Sequence, residues 1–242
     1  MIRGFIVILL TILCSVQLTL NCIPILRERH NIFAREHSVF LEVPGRGSCS
    51  GVKIISPKGK FYILSAAHCA LMLDEQHQSF RVTTEDKKVY SAYVISVNPS
   101  EDLLLLTDEK PTTGVFIARQ SQLHEQVHTM THGLGHANYR TDGEILETDT
   151  AQYAVFDIIS EAQKQECEKL PNTKIYSDFN GSTCVATLVN QVTTARVSPG
   201  SSGGMVLNDE DELVGIVSGV DSSGQFSAIV PLSTIRLFLA DR

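Results

Sequence analysis

The segment from Pro199 to Gly204, PGSSGG, carries the residue types that a nucleophilic serine requires. Such a serine needs an exposed hydroxyl on a tight turn, with neighbouring backbone N–H groups directed at the carbonyl oxygen of the substrate. Glycines around Ser202 permit that close approach because they lack a Cβ. An isolated hexapeptide of this kind is more often a flexible turn. Here Met205 to Gly219 follows as two apolar runs joined by an acidic turn, which indicates a hairpin rather than a linker.

A second set of residues suggests metal chemistry. His124 to His128 fits the HExxH pattern of zinc peptidases, and His132 and His136 continue at four-residue spacing. On a helix these histidines would share one face and could hold zinc. The alternating β-branched residues and the glycines of residues 127–135 favour a strand and turn instead. On a strand, histidines four residues apart are separated by about 13 Å, so we expect exposed histidines and no metal site.

The nucleophile region carries a family resemblance. Residues 193–219, TTARVSPGSSGGMVLNDEDELVGIVSG, resemble the corresponding region of trypsin-like serine proteases, especially the HtrA-like branch. The resemblance implies that Ser202 is the nucleophile. It also implies that the backbone N–H groups of Gly200 and Ser202 form the oxyanion hole, and that Ser218 lies next to the substrate backbone.

A weakly nucleophilic serine needs a histidine base. Leu64 to Cys69, LSAAHC, closely resembles the histidine motif of the family, in which a strand end is followed by small residues and His-Cys. The resemblance makes His68 the base that takes the serine proton and later delivers it to the leaving amine.

The carboxylate of the predicted triad is Asp102, which opens the apolar run DLLLLT. An acid that enters a buried strand is costly unless a partner receives it, and a histidine N–H is such a partner. Glu101 is the rival, but the family places an aspartate before its aliphatic run. The chain order His, Asp, Ser also agrees with the chymotrypsin type.

The resemblance extends to the cysteines and to the specificity residues. Of six cysteines, two lie in or beside an apolar N-terminal segment, and spacing alone leaves three pairings open for the other four. The family implies a bridge from Cys49 to Cys69 beside the histidine, and a second from Cys167 to Cys184. Arg196 stands where trypsins carry the acid that selects Lys or Arg, so a basic preference is not expected.

The remaining specificity residues follow by analogy with the family. Gly219 and Ala228 are expected to line the primary pocket, and Arg196 either reaches that pocket or points to solvent. Ser201 occupies the place where trypsin-type zymogens have an acid. An enzyme that is active on folding is therefore expected.

Short β-rich runs separated by turns must position these residues. The first set is SVFLEV, SGVKII, KFYILSAAH, FRVTT, KVYSAYVISV and DLLLLT. After a polar stretch near residues 111–122 the second set is EQVHTMTHGLG, EILETDT, YAVFDII, TCVATLV, GGMVLN, LVGIVSG and FSAIVP. Helices are predicted at Glu161 to Leu170 and at Leu232 to Leu239.

The N-terminus and the charge set the compartment and the partners. Residues 1–27 contain FIVILLTILCSVQLTL and are predicted to be an export signal. Since Phe5 to Leu26 is about long enough to cross a bilayer of roughly 30 Å, a membrane anchor is the alternative, and lipid attachment at Cys22 is a third. The net charge of -7 and 7% aromatic residues give no basic cluster or stacking platform, so nucleic acid is not an expected partner.

We therefore predict an all-β chain of two antiparallel β-barrels of the chymotrypsin-like type with a short C-terminal helix. Residues 28–115 would carry His68 and Asp102, and residues 116–242 would carry Ser202. The expected activity is hydrolysis of protein or peptide substrates through an acyl-enzyme, without a cofactor, outside the cytoplasm. The alternatives are the zinc peptidase and a catalytically inactive homologue that binds peptides.

Overall fold

The computed structural model describes residues 28–108, 113–118, 120–135, 137–169, 173–178, 181–220 and 225–242. The export signal or anchor predicted for residues 1–27 lies outside this range. Within it, no helix has both the length and the hydropathy that a bilayer crossing requires.

The first sheet is built from eight strands. They are β1 (Ser38–Val43), β2 (Gly47–Ile55), β3 (Phe61–Ser65), β4 (Phe80–Thr83), β5 (Val89–Ala92), β6 (Val94–Asn98), β7 (Leu103–Thr107) and β8 (Val115–Phe116). The order across the sheet is β5-β4-β1-β2-β3-β7-β6, and β8 pairs in parallel with β2. All other pairings are antiparallel, and the sheet curls into a half-barrel.

The second sheet closes into a barrel. Its strands are β9 (Gln126–Thr131), β10 (Tyr139–Ile158), β11 (Thr173–Asp178), β12 (Gly181–Thr193), β13 (Met205–Leu207), β14 (Leu213–Val220) and β15 (Ser227–Pro231). The path β10-β9-β13-β14-β15-β12 returns to β10, because β10 also pairs with β12. The expected all-β fold of two antiparallel barrels is thereby confirmed.

Three helices accompany the sheets in the described chain. The two predicted ones are found as α2 (Glu161–Lys169) and α3 (Leu232–Leu239). Residues 28–37 form a further helix, α1, which the sequence analysis does not predict. Its Ala34 is fully buried in a core that also contains residues of both sheets.

The cores explain the run of four leucines in β7. Leu103 and Leu105 face a core shared by the two sheets, α1 and α3. Leu104 and Leu106 face the interior of the first sheet. Successive side chains of a strand point to opposite faces, so a strand covered on both faces is apolar throughout. This placement fixes the start of β7, where Asp102 lies, at the junction of the two sheets.

Candidate active site

His68 and Asp102 meet at the edge of the first sheet. His68 lies in a 3-10 turn, Ala67–Met72, that directly follows β3. Asp102 directly precedes β7, and β7 pairs with β3, so the two residues are brought side by side. The Nδ1 atom of His68 is 3.0 Å from Oδ1 and 3.1 Å from Oδ2 of Asp102. The backbone N–H of His68 also donates to Oδ1 at 3.0 Å.

This pair sets the electrostatics of the histidine. Burial by itself would lower the pKa of His68, but the charge and the hydrogen bond of Asp102 outweigh it and raise that pKa above its ordinary value. The side chain of Asp102 is 5% exposed, whereas 31% of the histidine side chain remains accessible. With Nδ1 engaged by Asp102, Nε2 is the ring nitrogen left for a reacting group.

Ser218 connects this pair to the second barrel. Its Oγ donates a hydrogen bond of 2.5 Å to Oδ2 of Asp102. Ser218 is buried near the end of β14, so a hydroxyl of the second sheet bonds the Asp102 carboxylate of the first. The carbonyl oxygen of Ser218 accepts a hydrogen bond of 3.4 Å from Oγ of Ser202.

The glycine-rich loop that contains Ser202 packs between the two sheets. The N–H of Gly203 donates to the carbonyl of Val217 at 2.7 Å, and the N–H of Val217 donates to the carbonyl of Gly204 at 2.9 Å. A Cβ at Gly203, whose φ is 81°, would lie 2.1 Å from Oγ of Ser65 and 2.3 Å from the carbonyl of Ser50. Only glycine fits there, which gives the glycine after Ser202 a structural reason.

The structure brings His68, Asp102, Ser218 and Ser202 into one continuous set of contacts. It does not bond Ser202 to the histidine. Among the described contacts, the hydroxyl of Ser202 is engaged by the carbonyl of Ser218, and none joins it to Nε2 of His68.

Gly200 and Ser201 hold the conformation of the loop ahead of Ser202. Gly200 has a φ of 90°, a region that residues with a Cβ rarely adopt. Ser201 is 1% exposed, and its Oγ donates to Oγ1 of Thr131 at 3.0 Å and accepts from the N–H of Ser198 at 3.2 Å. A neutral hydroxyl pair thus fills the place where trypsin-type zymogens have an acid.

The predicted specificity residues lie in and near the same barrel. Gly219 on β14 is paired with Ala228 on β15, and Ala228 is 1% exposed. Arg196 is exposed, and its carbonyl accepts a hydrogen bond from Oγ1 of Thr141 at 2.8 Å. Small side chains, rather than a charged group, therefore stand at the two paired positions.

This segment forms a strand and turns, as expected, with His124 in the turn that precedes β9, but the expectation of exposed histidines is wrong for two of them. His128 and His132 are 3% and 4% exposed, because His30 of α1 packs its ring 6.2 Å from that of His128, and His132 contacts Ser38 of β1. Burial lowers the pKa of each to about 4, helped by Arg140 at His128 and by Lys87 at His132. Of the three histidines of this series that the structure describes, His124 alone is exposed.

These histidines also contact different partners. His124 faces Glu144, with 3.7 Å between the charged atoms. Nε2 of His128 lies 3.8 Å from Asp211, and Nε2 of His132 lies 3.0 Å from Oγ of Ser38. His136, the fourth in the series, lies outside the described residues. The arrangement does not converge on one ion.

The four cysteines that follow the N-terminal segment form two disulfides, Cys49 to Cys69 and Cys167 to Cys184. Among the described residues, potential ligand atoms of Cys49, His68 and Cys69 lie within 4.8 Å of one another. Both sulfur atoms are already bonded in the disulfide, so they offer no thiolate to a metal.

Comparison with known proteins identifies the family of the chain. The family model of the trypsin-like peptidase domain matches residues 49–216, more than half of the chain. The chain belongs to this family. Among curated proteins, none matches it significantly in sequence.

Solved structures match across most of the chain. The Rv3671c protease from M. tuberculosis in its inactive form is 18% identical, with a TM-score of 0.63 over 89% of this chain and 93% of that chain. Its active form is 18% identical, with a TM-score of 0.61 over 86% and 81%. A serine endoprotease from Yersinia pestis is 18% identical, with a TM-score of 0.60 over 88% and 66%. At these identities the likeness shows the fold.

Sequence reasoning missed Ser50, Thr131 and Ser38, whose hydroxyls contact the loops around Ser202. Ser50 bonds Gly200, Thr131 bonds Ser201, and Ser38 bonds His132. Serine and threonine are common in strands and turns, so no local pattern distinguishes these three. Their partners are far away in the chain, and only the packing of the two sheets brings them together.

Proposed function

We propose that the protein is a serine endopeptidase in which Ser202 attacks the scissile carbonyl, His68 acts as the base and Asp102 orients His68. The observation that carries the proposal is the double engagement of Asp102, by Nδ1 of His68 from one sheet and by Oγ of Ser218 from the other. A buried carboxylate placed against a histidine keeps the ring in one tautomer and stabilises the imidazolium that forms during the reaction.

The proposal assigns each step to a group of this chain. Ser202 loses its proton to Nε2 of His68 as it bonds the substrate carbonyl carbon, and His68 then protonates the leaving amine. The N–H groups of Gly200 and Ser202 stabilise the oxyanion. Water repeats the sequence on the acyl-enzyme and frees the second product. The hydroxyl of Ser202 must turn from the Ser218 carbonyl toward His68, and a rotation about its χ1 provides that movement.

The two disulfides support a site of action outside the reducing cytoplasm. We propose secretion or tethering through the N-terminal segment on that basis and on the apolar run of residues 5–20. Protein or peptide substrates follow from the proposed reaction.

Active-site labelling tests the proposal. Wild-type protein should react with a fluorophosphonate probe, and Ser202→Ala should not, because the labelled hydroxyl is removed. Ser233→Ala, which changes an exposed serine of α3, is the matched control and should label like the wild type. Mass mapping of the labelled peptide distinguishes Ser202 from its neighbour Ser201.

Three outcomes would contradict the proposal. Equal labelling of wild type and Ser202→Ala would place the reactive hydroxyl elsewhere. Peptidase activity that a chelator abolishes and that Ser202→Ala retains would favour a zinc peptidase. A protein that binds peptides but neither cleaves them nor labels would be an inactive homologue.

A further inference from the structure

Ser50 on β2 is completely buried, and its hydroxyl lies between two loops of the other barrel. Its Oγ donates a hydrogen bond of 2.9 Å to the carbonyl oxygen of Gly200. The same Oγ accepts a hydrogen bond of 2.8 Å from the backbone N–H of His132. A carbonyl can only accept, so the single hydroxyl proton of Ser50 is committed to Gly200.

The backbone of Ser50 holds the same loop two residues further on. Its N–H donates to the carbonyl of Ser202 at 2.8 Å, and its own carbonyl accepts from Oγ of Ser65 at 2.7 Å. One residue of the first sheet therefore fixes the carbonyl groups of both Gly200 and Ser202. Each carbonyl belongs to the peptide group that follows Gly200 or Ser202, so it is separated by one α-carbon from an N–H group proposed to bind the oxyanion.

The peptide group that carries the N–H of Gly200 is held from the opposite side. The N–H of Leu134 donates to the carbonyl of Pro199 at 2.7 Å. The described peptide bonds are trans, and in a trans peptide the carbonyl and the N–H point in opposite directions. The N–H of Gly200 therefore faces away from Leu134. The hydrogen bond to Pro199 orients the peptide group that carries this donor, and the one from Ser50 orients the next peptide group, so together they restrict rotation at Gly200.

His132 anchors the turn that supplies these contacts. Its Nε2 lies 3.0 Å from Oγ of Ser38 on β1, so its side chain is tied to the same sheet that carries Ser50. Its carbonyl lies 3.3 Å from where a Cβ of Gly200 would stand. The turn and the loop that contains Ser202 are therefore packed against each other and jointly held to β1 and β2.

We propose that Ser50 is a positioning residue for the oxyanion donors: its hydroxyl holds the Gly200 carbonyl so that the N–H groups of Gly200 and Ser202 converge on the substrate oxygen. The inference rests on the proposed function, since it gives Ser50 a role in the same site. Ser50 touches no substrate atom. Its effect passes through the orientation of Gly200.

The kinetic test is Ser50→Ala, compared with Ser56→Ala as a matched control. Ser56 is a buried serine directly after β2, and its Oγ likewise donates to a main-chain oxygen, that of Arg242, and accepts from a backbone N–H, that of Lys60. Complete loss of an oxyanion donor costs about 10²- to 10³-fold in kcat. We expect Ser50→Ala to lower kcat by about 10- to 100-fold with KM within about twofold, because the donors are displaced and not removed. Ser56→Ala should retain the wild-type kcat.

A second readout separates positioning from a general loss of structure. A peptidyl boronate places an oxygen in the oxyanion hole, so its inhibition constant should rise in Ser50→Ala by the same factor as kcat falls. Equal effects of the two variants on kcat, KM and boronate binding would reduce Ser50 to an ordinary core serine and overturn the proposal.

Crystal structures of wild type and Ser50→Ala make the test independent of activity. The proposal expects the Gly200 carbonyl to leave its present direction in the variant, with the Gly200 N–H turned or disordered. An unchanged loop would overturn the proposal even if hydrolysis were confirmed. If the wild type neither labels nor cleaves, the proposed function fails, while a reoriented Gly200 still identifies Ser50 as the residue that sets this loop.

Discussion

Asp102 is the residue on which the two halves of the site converge, since it accepts hydrogen bonds from His68 and from Ser218. Its backbone φ of 53° lies in the left-handed region, which aspartate tolerates better than most residues. The same carboxylate raises the pKa of the histidine against the opposing effect of burial. The main effect of this buried carboxylate is therefore on the pKa of His68, and not on the stability of the fold.

The pH dependence of hydrolysis should follow His68. A base must be neutral to accept a proton, and the pKa of His68 is raised above 6.5. We therefore expect kcat/KM of the wild type to rise with pH along a limb whose apparent pKa lies above 6.5, measured from about pH 5 to about pH 9. Asp102→Asn removes the charge that holds the proton, so its limb should move to lower pH and its kcat should fall by roughly 10³- to 10⁴-fold.

The matched control for this profile is Glu101→Gln, which removes the neighbouring carboxylate of the rival residue. The pH profile of kcat/KM in Glu101→Gln should rise with the same apparent pKa as in the wild type. A wild-type limb at or below the ordinary histidine value, or a shift in Glu101→Gln as large as in Asp102→Asn, would contradict the assignment of the pair.

Among individual residues, the sequence predicts the candidate catalytic residues but not the residues that hold the loop around them in place. The motifs around His68, Asp102 and Ser202 are short and specific, so the residues could be proposed from their neighbours in the chain. The role of Ser50 depends on a contact with Gly200, 150 residues further on. Such a contact has no local signature, because it exists only after both sheets have formed.

The burial of strand β9 is not what its sequence predicts. The β-branched residues at every second position, Val127, Thr129 and Thr131, are typical of a strand with one solvated face, whereas every residue from Val127 to Thr131 is buried. The barrel covers one face, and α1 contributes to the other, because His30 of α1 packs its ring 6.2 Å from that of His128. A helix that no pattern predicts therefore changed the environment of the strand.

Burial of these histidines should make the fold acid-labile. The pKa of His128 is about 4 in the folded protein and 6.5 when free, so the unfolded chain binds the proton more readily. Stability is then fully retained above pH 6.5 and is lost as the pH falls toward 4. From about pH 7 to about pH 5, His128 alone should cost about 2 kcal/mol of the free energy of unfolding.

Urea unfolding of His128→Gln measures this contribution. Its loss of stability between the two pH values should be smaller than that of the wild type by about 2 kcal/mol. His124→Gln is the control, because His124 is exposed on the same segment, and it should lose as much as the wild type. Identical pH dependence of all three proteins would contradict a depressed pKa of His128.

Helix α1 should be part of the folded unit and not a dispensable extension. Ala34 is fully buried, Asn31 accepts a hydrogen bond from Arg140 at 2.8 Å, and His30 bonds Asp211 at 2.8 Å. Ala34→Asp would place an unpaired carboxylate in the shared core and should lower the free energy of unfolding by about 3 kcal/mol or more. Ile32→Asp, at a position 49% exposed, should change it by about 0.5 kcal/mol or less. Equal losses in urea unfolding would show that α1 is not docked as described.

At the scale of the molecule, the two sheets share one core and divide the site between them. Residues such as Leu105 of β7 and Met205 of β13 pack in the same cluster. The alternating runs and turn signals sufficed to predict the all-β fold, since a strand pattern is local. They did not reveal that β10 runs unbroken through Tyr139–Ile158, because its two apolar runs are separated by polar residues that a long strand can accommodate.

The disulfides allow stability and activity to be separated across the whole molecule. Cys49–Cys69 and Cys167–Cys184 close loops of similar length, with sequence separations of 20 and 17. In the chain-entropy model each contributes about 3 kcal/mol by restricting the unfolded state. Replacing either pair with alanine should therefore lower the free energy of unfolding by a similar amount, measured in urea.

Activity should respond to only one of the two bridges. Cys69 directly follows His68 and Cys49 directly precedes Ser50, so the first bridge links the proposed base to the residue that bonds the Gly200 carbonyl. The second joins α2 to β12, away from these contacts. Under conditions where both variants stay folded, kcat/KM should fall about tenfold when Cys49 and Cys69 are replaced, equivalent to about 1.4 kcal/mol in transition-state stabilisation. Loss of the second bridge should leave kcat/KM near that of the wild type, and equal losses of activity would mean that the bridges act on the site only through global stability.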